Sequence, residues 1–89
     1  MLPGHLRPLF WDVEIQSFEP QSHPDYTILR ILEYGNEAAV AWLRRSFPES
    51  AIVAAIRNGR RLSRKSATFW ALVYSVPHGE VAALRQSLR

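Results

Sequence analysis

An all-α architecture follows from three features of this chain. Apolar residues recur at helical spacing in several successive segments, each segment is bounded by a residue suited to start or stop a helix, and no alternating apolar–polar run bounded by turn signals suggests a strand. The expected fold is a compact single domain of four or five short helices, with the helix over about 63–75 at its centre. The 89 residues suffice for one domain, near the lower size at which a core holds without disulfides or metal. A hydrophobic share of 47% with 21% charged residues is that of a globular chain, which argues against disorder, and the ten aromatic residues supply much of the core.

Taken from the N-terminus, residues 1–8 hold two prolines and a glycine and are expected to form a flexible, extended or frayed segment, with the helical domain over 9–89. Leu9, Phe10, Trp11 and Val13 are large and apolar, so they are expected to be tied to the core as an extended arm or a short turn, with Asp12 able to cap the segment after it. A polar loop over 19–24 leads into a first helix over about 24–34. Ser22 or His23 is placed to cap it, Pro24 suits its first turn, and Ile28, Ile31 and Leu32 form its inner face opposite Asp25, Arg30 and Glu33. Gly35 is expected to end it in the left-handed conformation.

Asn36 caps a second helix over about 37–45, with Ala39, Val40 and Leu43 inward, Trp42 on the border, and Arg44 and Arg45 in the last turn, where the helix dipole favours cations. Ser46, Phe47, Pro48 and Glu49 have the pattern of a capping box, opening a third helix whose stripe is Ile52, Ala55 and Ile56. Gly59 breaks it. Ser63 caps the fourth helix, in which nearly every position from Ala67 to Val76 is apolar, so that both flanks are expected to be covered. Pro77 stops that helix and can begin a fifth, narrowly amphipathic one carrying Val81, Leu84 and Leu88.

The composition excludes several function classes. Without cysteine there is no disulfide scaffold, thiolate metal site or cysteine nucleophile. His5, His23 and His78 lie in three separate segments and pair with no ligand at helical spacing, so no metal and no cofactor is expected. There is no glycine-elbow serine and no phosphate-cradling glycine loop, and Asp12, Glu14 and Asp25 read as solvated carboxylates rather than an acid–base pair, so the chain is not expected to be an enzyme. With no membrane-spanning run and no signal layout at the N-terminus, a cytoplasmic protein is expected.

The net charge is +3, and the positive charge is local: Arg57, Arg60, Arg61, Arg64 and Lys65 cluster, while the acidic residues lie mostly before Ser50. Residues 46–75 have the outline of a helix-turn-helix hairpin with a basic turn. Ala55 and Gly59 fit that outline, whereas Lys65 and Thr68 stand where a recognition helix buries aliphatic residues. Three readings stay open for this segment: a solvated corner, a contact to a protein partner, and a nucleic-acid contact through Arg57, Arg60, Arg61, Arg64 and Lys65. Candidate anchors for a protein partner are Phe10, Trp11, Trp42, Arg60, Arg61 and Arg64, since aromatic residues and arginine dominate interface energetics.

Four pieces in order, Leu9-Phe10-Trp11-Asp12, Ile31-Leu32-Glu33-Tyr34-Gly35, Arg61-Leu62-Ser63 and Phe69-Trp70-Ala71, resemble a family of short prokaryotic proteins with an "LFWD … ILEYG … RRLS … FWA" pattern. The resemblance spans Leu9 to Pro77. Members of that family are often encoded beside a nucleotidyltransferase-type toxin of the abortive-infection kind. It therefore implies an antitoxin that neutralises such a toxin by direct binding, or a small DNA-binding regulator of the same operon. The alanine-rich third helix and the C-terminal HGEVAALRQSLR depart from the pattern, which puts partner choice in doubt, and oligomeric state stays open.

Overall fold

A computed structural model describes residues 2–14 and 17–86, the side chain of Gln86 excepted. Among these there is no strand: the chain forms five α-helices, α1 (Pro24–Tyr34), α2 (Glu37–Ser46), α3 (Glu49–Asn58), α4 (Arg64–Val73) and α5 (Ala82–Gln86), with 3-10 turns at Gly4–Leu9, Pro20–Ser22 and His78–Glu80. The all-α single domain is as expected. None of the helices is long and apolar enough to cross a membrane.

The local chemistry of most boundaries is as the residues dictate. Asn36 accepts from the amide of Ala39 and Ser63 from the amide of Ser66, each satisfying an amide that the first turn leaves without a partner. Pro24 opens α1, although His23 at its cap position makes no side-chain capping bond and instead stacks its ring on Phe18, with centroids 5.6 Å apart. Gly35 ends α1, but at φ −78° rather than in the left-handed region. What requires glycine there is space, because a Cβ would lie 2.6 Å from the Ile31 carbonyl oxygen. Gly59 is under the same constraint, a Cβ there lying 2.7 Å from the Ala55 carbonyl oxygen.

Two sequence expectations are corrected at the next boundaries. The capping box at Ser46 does not form: Ser46 remains the last residue of α2, and Pro48 is the cap position of α3, with no side-chain capping bond. Burial of the Phe47 ring outweighs the local pattern, since it extends the backbone at φ −132° between the two helices. Residues 1–8, expected to be extended or frayed, include most of the 3-10 turn Gly4–Leu9, whose Leu6 is fully buried, with Leu2 nearly so. Leu2, Leu6 and Phe10 recur every four residues, and burying each such side chain is worth about 1.5–3 kcal/mol, enough to order a short segment despite its prolines.

The core centres on α1 rather than on α4. Ile28, Ile31 and Leu32 face the interior, and α1 packs against the 3-10 turns Gly4–Leu9 and Pro20–Ser22 and against α2, α3 and α4. Thr27, the one buried polar side chain of the described core, donates its hydroxyl to the Pro20 carbonyl at 3.2 Å. In α4 only Ala67, Trp70 and Ala71 are buried, the two alanines letting the helix approach its neighbours closely. The other flank, expected to be covered, is open.

The chain leaves α4 through Ser75, at φ 56° in the left-handed region, where the amide of Val76 returns to the Ala71 carbonyl at 2.8 Å. That turn sends Val76 into the core ahead of Pro77. Val81 and Leu84 are buried as expected, α5 packing against α3 and α4, while Leu88 lies outside the described residues.

Candidate functional site

On α1, Tyr26, Arg30, Glu33 and Tyr34 fall at positions i, i+4, i+7 and i+8, which places them on one side of the helix. The N-terminal arm crosses this side. The Arg30 side chain, only 12% exposed, is enclosed there: its guanidinium carbon lies 4.6 Å from the ring centre of Trp11, 4.9 Å from that of Tyr26 and 5.9 Å from that of Tyr34. It donates to the Asp12 carboxylate at 2.6 Å, to the Tyr26 hydroxyl at 2.7 Å and to the Leu9 carbonyl at 3.3 Å, and the Tyr26 hydroxyl in turn donates to Asp12. An aromatic box around a cation is thus filled by the protein's own arginine, which straps the arm to α1. Asp12, expected as a helix cap or a solvated carboxylate, is the counter-ion of this strap.

The strap should depend on pH in a defined direction. The hydrogen bonds from Tyr26 and then Arg30 hold the Asp12 carboxyl below its usual value. A carboxyl lowered in the folded state contributes stability at neutral pH that is lost as the pH falls through the lowered value, below about 4. Burial, then the bond to Asp12, raises the Tyr26 hydroxyl, so it keeps its proton and its contribution until the pH rises past about 10. Indole emission should therefore be flat between these limits and show an acid step; the step should vanish in Asp12→Asn, and its persistence there would assign it to another carboxylate.

Beside the strap, Trp11, Tyr26, Leu29, Arg30, Glu33, Tyr34, Arg61 and Leu62 line a cleft of about 440 Å³. Glu33, one of the lining residues, bridges α1 to the start of α4: one carboxylate oxygen accepts from the Ser63 amide at 2.8 Å and the other from the Ser66 hydroxyl at 3.1 Å. The N-terminus of α4 is therefore already occupied by an anion of the protein itself.

The basic residues named from the sequence remain at the surface. Arg60, Arg61, Arg64 and Lys65 are exposed around the turn into α4, and Arg57 pairs with Glu80 at 3.1 Å in an ion pair open enough to be worth about 0–1 kcal/mol. Of the aromatic anchors, Trp11 is 63% exposed, Trp42 is half-buried with its ring edge-on to Phe47, and Phe10 is fully buried between Phe18 and Tyr26. Phe10 is a core residue in this fold, not a contact presented to a partner. Among the described residues no three His, Cys, Asp or Glu side chains gather as a metal ion requires.

What reading the residues in order missed is the outer side of α4. Phe69, Leu72 and Val73 are 56%, 75% and 44% exposed, and Arg64, Lys65, Thr68, Phe69 and Leu72 line a shallow groove along the helix. The signal was present, since 69, 72 and 73 keep the i, i+3, i+4 spacing and lie opposite the buried 67, 70 and 71. Two apolar stripes on one helix, only one of them used internally, leave a surface suited to a partner.

No curated protein and no solved structure matches the chain. A family model, described as a family of unknown function (DUF6922), matches residues 6–56. The matched part holds the arm, α1, α2 and most of α3, with the whole Arg30 strap, and stops short of the basic turn and α4. Since it takes in more than half of the sequence, the chain belongs to the DUF6922 family.

Proposed function

We propose that the protein is a non-catalytic, cytoplasmic interaction module that docks a protein partner along the outer side of α4. The observation that carries this reading is the exposed run Phe69, Leu72 and Val73, flanked by Arg64 and Lys65. An apolar helical stripe bordered by cations suits a partner helix with an apolar seam and acidic margins, and it requires no reacting groups. The partner implied by the sequence resemblance is a nucleotidyltransferase-type toxin, which makes this chain its antitoxin.

A second reading, a DNA-binding regulator, is favoured by the four exposed cations Arg60, Arg61, Arg64 and Lys65 at the turn. Two features weigh against it. The Glu33 carboxylate sits at the α4 N-terminus, where a phosphate would bind, and the outward surface of α4 carries Phe69 and Leu72 rather than polar groups able to read base edges.

Co-expression with the protein encoded beside it, followed by purification in about 0.5 M salt where screening shortens electrostatic reach to a few ångströms, separates the two readings. The interaction reading expects a stoichiometric complex that survives the wash and is lost in a Phe69→Asp, Leu72→Asp double variant of unchanged thermal stability. A complex that withstands both substitutions would exclude the α4 surface. Recovery only of nucleic acid, released by the wash, would favour the regulator.

A further inference from the structure

The cleft beside the Arg30 strap lies apart from the α4 stripe and has features of a small-ligand site. Its volume of about 440 Å³ falls within the 300–1,000 Å³ typical of such sites. Its wall is a preorganised aromatic platform. Trp11 and Tyr34, edge-to-face with centroids 5.2 Å apart, are 63% and 55% exposed, and both rings contact the guanidinium of Arg30. Arg30 is itself fixed by Asp12, Tyr26 and the Leu9 carbonyl, so the indole is positioned before any ligand arrives.

The charges of the cleft are divided in a particular way. Arg30 is neutralised by Asp12. Both oxygens of Glu33 are engaged at the α4 N-terminus. Arg61, exposed on the rim, has no ion-pair partner among the described residues. What remains for a ligand is an open aromatic surface with one uncommitted guanidinium at its edge, the combination that stacks a planar base and pairs with an attached phosphate.

We propose that this cleft binds a nucleoside phosphate, the base stacked on the exposed ring of Trp11 with Tyr34 edge-on to that ring beside it, and the phosphate paired with Arg61. The chemistry is shared by a free nucleotide and by the 5′-phosphorylated end of a single strand. Calorimetric titration of the purified chain with AMP, adenosine, inorganic phosphate and a 5′-phosphorylated tetra-adenylate distinguishes the two sources. The expected result is saturable AMP binding, about ten-fold weaker for adenosine and in Arg61→Glu, as befits loss of one charge-assisted contact, and abolished in Trp11→Ala.

Circular dichroism of each variant establishes that it remains folded, and Trp11→Phe, which keeps a stacking ring, should retain most of the affinity. A tetra-adenylate that binds more tightly than AMP, with the same dependence on Trp11 and Arg61, would assign the site to a strand end. The proposal is overturned if neither AMP nor the tetra-adenylate binds up to millimolar concentration, if inorganic phosphate binds as well as AMP, or if folded Trp11→Ala binds AMP unchanged.

Discussion

Replacing Trp70 by alanine is expected to destabilise the protein by about 3–5 kcal/mol, a large part of the roughly 5–15 kcal/mol that holds a domain together. Trp70 joins α4 to α1: its ring is buried beside Phe69 and Tyr74, and its indole N–H donates to the Leu32 carbonyl at 2.8 Å. That carbonyl belongs to the last turn of α1, whose carbonyls a helix leaves without partners of its own. The indole thus closes the end of one helix while filling the space beneath another.

At about 4–8 °C per kcal/mol for a domain of this size, the melting temperature should fall by at least ~12 °C. Trp70→Phe separates the two contributions. It keeps most of the apolar surface but leaves the Leu32 carbonyl unpaired, at a cost of about 1–3 kcal/mol if no water reaches it. A phenylalanine variant as stable as the wild type would show that water replaces the indole there.

Phe10→Ala should have a comparable effect, about 3–5 kcal/mol, and Trp11→Ala one several-fold smaller, although the two residues are adjacent. Phe10 is fully buried, its ring 5.3 Å from Phe18 and 6.0 Å from Tyr26, and its loss opens a cavity between the arm and α1. Trp11 lies on the outside of the strap, where truncation removes an exposed ring and one cation–π contact. Chemical unfolding of the two variants side by side measures the difference. Equal effects would mean that the arm is not packed as described, and partner binding lost in Phe10→Ala should be traced first to stability, because that side chain reaches no surface.

The way these two positions divide shows what could be read from the residues alone. Helical periodicity, and the caps Asn36 and Ser63, depend on interactions within about four residues, so α1 was legible to its ends and α2 to within one residue. The capping box at Ser46 is equally local, yet it yields to the burial of Phe47 in a core to which every helix contributes. The Arg30 strap was not legible. It unites Asp12 with Tyr26 and Arg30 across 14 and 18 residues, and each alone has the appearance of an ordinary surface residue.

The fourth helix draws the clearest line. That a helix begins behind Ser63 and carries cations at its N-terminal end is determined by the sequence; its end at Val73, short of the expected 75, is set by the left-handed turn at Ser75 rather than by Pro77. Which of its two apolar stripes is buried is not so determined, because Ala67, Trp70 and Ala71 and the opposite Phe69, Leu72 and Val73 both satisfy the helical period. The tertiary structure decides it: the alanines permit close packing, Trp70 finds the free carbonyl of Leu32, and Glu33 draws in Ser63 and Ser66. Those contacts turn Phe69 and Leu72 outward, and periodicity within one helix carries no information about groups contributed by another.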